Sequence, residues 1–223
     1  MKVEGLTERL AAVRLRIERA AERARRDPSE VLLLAVTKIF PAAAIRDAYD
    51  LGLRDFGENY VQEFEGKAPE VAALPGARFH LIGHLQSNKS SKAVELFQTI
   101  QTVDSARLAR RLNESGRPLD VMIEVKLSAE EAKSGADPAQ LPELIQVIRG
   151  RPNLNLLGLM TMPPWSEDPE APRAIFRTLR ELAGEHGLRG LSMGMSNDLE
   201  TAIEEGSTCV RVGTALFGRR NKP

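Results

Sequence analysis

The stretch Val31-Leu32-Leu33-Leu34-Ala35-Val36-Thr37-Lys38 sets the fold. It is apolar almost without interruption, where a strand with one wet face would alternate apolar and polar positions. Such a run belongs in a parallel sheet covered on both faces. Ile39-Phe40-Pro41 then breaks the pattern and leaves Lys38 at the carboxyl end of the strand. An amine placed there can point into a pocket, where desolvation favours the neutral, nucleophilic form. Taken alone, the position more often holds a solvated lysine where a strand meets a loop.

Outward from this run, short apolar stretches alternate with amphipathic ones. Strands are expected at 31–37, 54–56, 78–82, 99–103, 119–125, 154–160, 191–193 and 209–212. Helices are expected between them, among others at 42–51, 108–113, 141–149, 174–183 and 199–204. About eight strand–helix units in this length favour a (β/α)8 TIM barrel over an open doubly wound sheet. Leu6, Leu10, Val13 and Ile17 recur at helical spacing ahead of the first strand, so an additional N-terminal helix precedes the barrel. The run Glu22-Arg23-Ala24-Arg25-Arg26 reads as a solvated helical face, and Asp27-Pro28 ends that helix. No linker or low-complexity tract divides the chain, and residues 1–223 read as one domain.

Lys+Arg and Asp+Glu each total 31, so no net charge steers the protein toward nucleic acid. Neither a signal region at Met1-Lys2-Val3-Glu4-Gly5 nor a membrane-length apolar run is present. A single cysteine, Cys209, excludes an internal disulfide and suits a reducing, cytoplasmic compartment. It reads as a buried core thiol. The three histidines, His80, His84 and His186, lack partners at metal-ligand spacing, and no metal site is expected. His80 alternates with apolar neighbours and reads as a barrel or pocket residue. Serine-hydrolase and nucleotide-binding motifs are absent.

In barrels of this kind, reacting groups lie where strands end and loops begin. That rule collects Thr37-Lys38, Gly57-Glu58-Asn59, Gly83-His84, Asp104-Ser105, Lys126, Thr161-Met162, Gly194-Met195-Ser196 and Gly213-Thr214 into one candidate ring. Ser196-Asn197-Asp198 opens a helix with Ser196 or Asn197 as its cap, and such a start suits a phosphate as well as a simple cap. Val210-Arg211-Val212-Gly213-Thr214 repeats the arrangement at the last strand, again where barrel enzymes place phosphate. Arg211 carries a charge inside a strand, which requires a pocket or a paired glutamate. Its guanidinium, a permanent donor, suits an acceptor such as a ring nitrogen. Lysine amine, phosphate turns and arginine together describe a pyridoxal 5′-phosphate (PLP) pocket. A phosphosugar aldolase would use a similar lysine and phosphate site, so these residues alone leave that alternative open.

Longer motifs carry a resemblance. Leu34-Ala35-Val36-Thr37-Lys38, Phe56-Gly57-Glu58-Asn59-Tyr60-Val61-Gln62-Glu63 and His80-Leu81-Ile82-Gly83-His84-Leu85-Gln86-Ser87-Asn88-Lys89 come first. Glu131-Ala132-Lys133-Ser134-Gly135, Gly158-Leu159-Met160-Thr161-Met162 and Leu191-Ser192-Met193-Gly194-Met195-Ser196-Asn197-Asp198 follow, and Val210 to Gly218 completes the series. Over nearly its whole length the sequence resembles the PLP homeostasis family, the YggS/PROSC group. The resemblance implies a barrel like the N-terminal domain of alanine racemase, with the cofactor carried as a Schiff base on Lys38. It further implies phosphate contacts from Ser196, Gly213 and Thr214, the pyridine nitrogen at Arg211, and Asn59 beside the ring. Lys126 departs from the family pattern, which has asparagine there, and this bears on the polarity of that rim.

The resemblance implies vitamin B6 homeostasis, by buffering PLP or delivering it to PLP-dependent apoenzymes as transient partners. The chain itself is expected to be a monomer or weak dimer. No dedicated catalysis is expected. A racemase sets two bases on opposite faces of its substrate, the second coming from a separate domain in the resembling racemase. A donor-only Arg211 would also leave the ring nitrogen unprotonated and weaken it as an electron sink. A small PLP-dependent amino-acid racemase is the alternative.

Overall fold

Strands β1 (Leu32–Val36), β2 (Asp55–Glu58), β3 (Arg78–Leu81), β4 (Thr99–Val103), β5 (Leu119–Glu124), β6 (Leu154–Met160), β7 (Gly190–Met195) and β8 (Cys209–Val212) close into a parallel barrel. Each pairs with the next in sequence, and β8 returns to β1 through Leu32↔Cys209 to Ala35↔Val212. The computed structural model describes residues 3–128 and 134–218. Met1-Lys2 and the Glu131-Ala132-Lys133 part of the quoted motif lie outside the described residues.

The helices are α1 (Leu6–Arg23), α2 (Ala42–Asp50), α3 (Val61–Val71), α4 (Ser90–Leu96), α5 (Ala106–Asn113), α6 (Leu141–Arg149), α7 (Arg173–Glu185), α8 (Leu199–Glu204) and α9 (Thr214–Phe217). The (β/α)8 barrel with an added N-terminal helix is the observed architecture. Two strand ends extend past the expected ones. β2 continues to Glu58, because Gly57 and Glu58 pair with His80 and Leu81 although neither residue favours a strand. β7 likewise runs on through Gly194 to Met195.

The main core lies between barrel and helices, where Phe56 and Phe79 of the barrel meet Phe64 and Phe97 with ring centroids 4.6–5.8 Å apart. Inside the barrel, a smaller apolar cluster joins Leu34, Val36, Ile82 and Cys209. Gly57 lets these chains meet, since a Cβ there would stand 3.1 Å from both Leu34 and Ile82.

Helix α1 buries Leu6, Leu10, Val13 and Ile17, each contributing about 1.5–3 kcal/mol by burial. It packs on α8 and α9. Its polar side is not simply solvated: Arg23 bonds Glu204 at 2.8 Å, and Arg26 donates to the carbonyls of Ile203 and Ser207. Glu22, Arg23 and Arg25 are exposed, as a solvated face requires, but Arg23 is paired with a carboxylate and Arg26 caps the chain just past α8. Arg16 grips Glu200 through two bonds of 2.6 and 2.7 Å and donates to the Ser196 carbonyl at 3.0 Å. The added helix thus braces the turn after β7. No helix among the described residues is long and apolar enough to cross a membrane.

Candidate functional site

A cavity of about 570 Å³ opens at the carboxyl ends of the strands. Lys38, Asn59, Ser196, Arg211, Gly213 and Thr214 all line it, brought together from β1, β2, β7 and β8. Lys126 does not. It borders a second cavity of about 470 Å³ with Glu124 and Ser134, and the two cavities share Met162, Trp165 and Met195.

Beneath the Lys38 turn sits a buried ionic cluster. Lys67 Nζ donates to Glu58 at 3.0 and 3.2 Å, to Glu63 at 2.6 Å and to the Thr37 carbonyl at 3.0 Å. Thr37 Oγ1 donates to Glu58 Oε1 at 2.7 Å. Burial pushes the Glu58 carboxyl up, and Lys67 and Thr37 pull against that shift. Next to Lys38, Ile39 adopts a left-handed φ of 71°, a costly conformation for a β-branched residue. Its N–H is tied to Glu63. Sequence spacing offered one hint of this cluster, the i, i+4 pair Glu63–Lys67 on α3.

Asn59 lies one residue past β2. Gly83 makes its placement possible: a Cβ there would fall 2.2 Å from the Asn59 carbonyl oxygen. Thr102 Oγ1 fixes Gly83 by donating to its carbonyl at 2.8 Å. Asn59 Oδ1 is buried and has no hydrogen-bond partner within the protein. Buried polar atoms are paired as a rule, so this one calls for a donor from a ligand or water in the cavity.

Arg211 is buried in β8, the strand paired with β1. Its Nη1 donates to Ser192 Oγ at 2.8 Å and its Nη2 to the Thr161 carbonyl at 2.9 Å. Burial pulls its pKa down, with Cys209, Asp198 and Glu124 opposing. Cys209 is itself fully desolvated and pushed up, which makes it an inert thiol. Glu124, at the neighbouring rim, is raised by burial while Ser134 donates to it at 3.1 Å.

The turns after β7 and β8 interlock. Ser196 Oγ accepts from the Ala215 N–H at 3.2 Å, joining the start of α9 to the β7 turn. The α8 cap differs from expectation. Asp198 occupies the cap position, and its Oδ1 accepts from the Met195 N–H at 2.6 Å, so the chain makes one more turn before Leu199. Asn197 instead donates to the carbonyls of Ser166 and Glu167, at 3.0 and 3.3 Å. That bond holds the loop bearing Trp165, which is 74% exposed at the cavity rim. Trp165 was readable as the lone tryptophan, in Pro163-Pro164-Trp165 directly after a strand. Gly194 takes φ 91°, and a Cβ there would lie 2.4 Å from Ala202 Cβ.

The cavity therefore presents an amine, a buried guanidinium, an unsatisfied amide oxygen and two hydroxyl-bearing turns. This donor set fits a phosphorylated aldehyde with an aromatic ring nitrogen.

Comparison with known proteins matches residues 9–221 to the family model described as alanine racemase, N-terminal domain. A PLP homeostasis protein of Pseudomonas aeruginosa is 49% identical over 222 residues, covering 97% of this chain and 96% of the relative. Its counterpart in Escherichia coli is 44% identical over 233 residues, with 98% of each covered. Among solved structures, PipY of Synechococcus elongatus with PLP bound superposes with a TM-score of 0.83 at 42% identity, covering 96% of this chain and all of that one.

Proposed function

The chain belongs to the pyridoxal phosphate homeostasis protein family, and from that premise we propose that it holds PLP in the 570 Å³ cavity, bound to Lys38, as a reversible carrier. The convergence on one cavity of Lys38, at the end of β1, and Arg211, in the neighbouring strand β8, carries this reading. When bound, PLP supplies an aldehyde that condenses with an amine and a ring that can withdraw electrons.

In this reading Lys38 provides the amine, and Arg211 donates toward the ring nitrogen. Asn59 Oδ1 gains the partner it lacks within the protein. Ser196, Gly213 and Thr214 hold the phosphate with hydroxyls and backbone N–H groups. Binding, not turnover, is the task. Asp198, the carboxylate among the described lining residues, accepts the Met195 N–H at 2.6 Å and serves as the cap of α8. Delivery goes to PLP-dependent apoenzymes in the cytoplasm, where a buried free thiol such as Cys209 stays reduced.

Purified protein loaded with PLP should show an imine absorption band that disappears in Lys38→Ala, and should restore activity to a PLP-dependent apoenzyme. It should not racemise amino acids. Amino-acid racemisation above background that Lys38→Ala abolishes would replace the carrier reading with the racemase one. Binding of sugar phosphates by a protein that takes up no chromophore would point to an aldolase.

A further inference from the structure

Five polar side chains from the barrel strands form one continuous line. Asp55 on β2 bonds His80 on β3 at 2.9 Å. His80 bonds Gln101 on β4 at 3.2 Å, and Gln101 bonds Ser192 on β7 at 2.6 Å. Ser192 meets Arg211 on β8 at 2.8 Å. Strands β4 and β7 are not neighbours, so the Gln101–Ser192 bond crosses the barrel interior. His80, Gln101, Ser192 and Arg211 are all buried. Each would be costly there without its partner.

The proton directions in this line are dictated from one end. The Asp55 carboxylate only accepts, so His80 Nε2 carries the hydrogen and, in the neutral ring, Nδ1 is the acceptor. The Gln101 amide nitrogen must then face Nδ1, which turns its oxygen toward Ser192. Ser192 donates to that oxygen and keeps a lone pair for Arg211 Nη1. Were Gln101 reversed, two donors would converge on Ser192 Oγ and His80 would need a second proton. Bonds aligned in this way polarise one another.

We propose that Gln101 and Ser192 are positioning residues that fix the Arg211 guanidinium at the cavity wall, with Asp55 and His80 setting the direction of the line. The proposal rests on the reading of the cavity as a PLP site, where Arg211 addresses the ring nitrogen. Around the line stand Arg78, 3.9 Å from Asp55, and the Cys209 thiol, 3.9 Å from the Gln101 amide nitrogen, while the charges of Asp198 and Glu124 act on Arg211.

Nitrogen-15 NMR of the wild-type protein without cofactor reads the line directly. His80 should be the neutral Nε2–H tautomer, and a Nδ1–H or doubly protonated ring at neutral pH would overturn the proposal. Variants supply the second arm. Gln101→Met and Ser192→Ala should each shift the PLP absorption maximum and raise the PLP Kd about tenfold, the size of one hydrogen bond to a charged group. The double variant should be no weaker than the worse single variant. Unchanged spectrum and Kd in folded variants, or fully additive losses, would overturn it. Should Gln101→Met fail to fold, Ser192→Ala and the tautomer carry the test. A wild-type protein that takes up no PLP would sink the carrier reading while the tautomer still decides the line.

Discussion

The two charged anchors of the cavity, Arg211 and Lys38, are built on different principles although their strands are neighbours. On the arginine side, the functional group sits within a strand, and the hydrogen bonds behind it span the barrel. On the lysine side, Lys38 follows its strand in a turn next to a strained Ile39, over a buried ionic cluster. A strand is held by its ladder, whereas this turn is held by side chains. In the proposed carrier, Arg211 would be held by the barrel interior, and Lys38 by a turn tied to the cluster through the Thr37 carbonyl and the Ile39 N–H.

The contrast can be broken most forcefully at Lys67. Lys67→Met strands Glu58 without its ammonium, and loss of one partner of a buried pair costs about 3–5 kcal/mol. Urea denaturation should show that loss, and adding Glu58→Gln should recover a large part of it. A loss below about 1 kcal/mol would mean that the cluster does not support the lysine turn.

Gly83→Ala attacks a third part of the wall, past the ends of β2 and β3. Overpacking against the Asn59 backbone should cost about 1–3 kcal/mol and weaken PLP binding, measured by melting and by cofactor titration.

Stability against pH separates the sides further. For Glu58, raised by burial, the folded state binds more protons than the unfolded one. Its contribution therefore falls as pH rises from the ordinary carboxylate value of 4.5 toward its folded pKa. For Glu200, burial acts upward but the Arg16 bonds outweigh it and hold the carboxyl low. Its contribution is present above 4.5 and is lost as pH falls through its folded pKa. Melting temperature against pH should lose the first slope in Glu58→Gln and the second in Glu200→Gln. The smallest effect is expected at Ile39, which is 60% exposed and whose left-handed backbone suits glycine. Ile39→Gly should raise stability by up to about 1 kcal/mol in the same denaturation assay.

Much of this was legible in the chain. Unbroken apolar strands such as 31–37 carry the barrel, because a strand covered on both faces has no polar positions to spare. The strand-end rule gathered Lys38, Asn59, Ser196, Gly213 and Thr214, and the charge of Arg211 inside a strand marked it apart. What stayed hidden depends on closure. Asp55, His80, Gln101, Ser192 and Arg211 have no common spacing and meet only because β8 returns to β1. The ionic cluster under Lys38 needs α3, whose helical pattern is interrupted by Gly66 and Pro69. The α8 cap moved to Asp198 because its carboxylate found the Met195 N–H, a choice among adjacent polar residues that spacing does not make.

The central claim is that Lys38 is the residue bonded to PLP. Borohydride reduction of the PLP-loaded protein followed by peptide mass spectrometry tests it most directly. One phosphopyridoxyl group is expected, on Lys38. Modification at Lys126 or Lys67 with Lys38 unlabelled would contradict it.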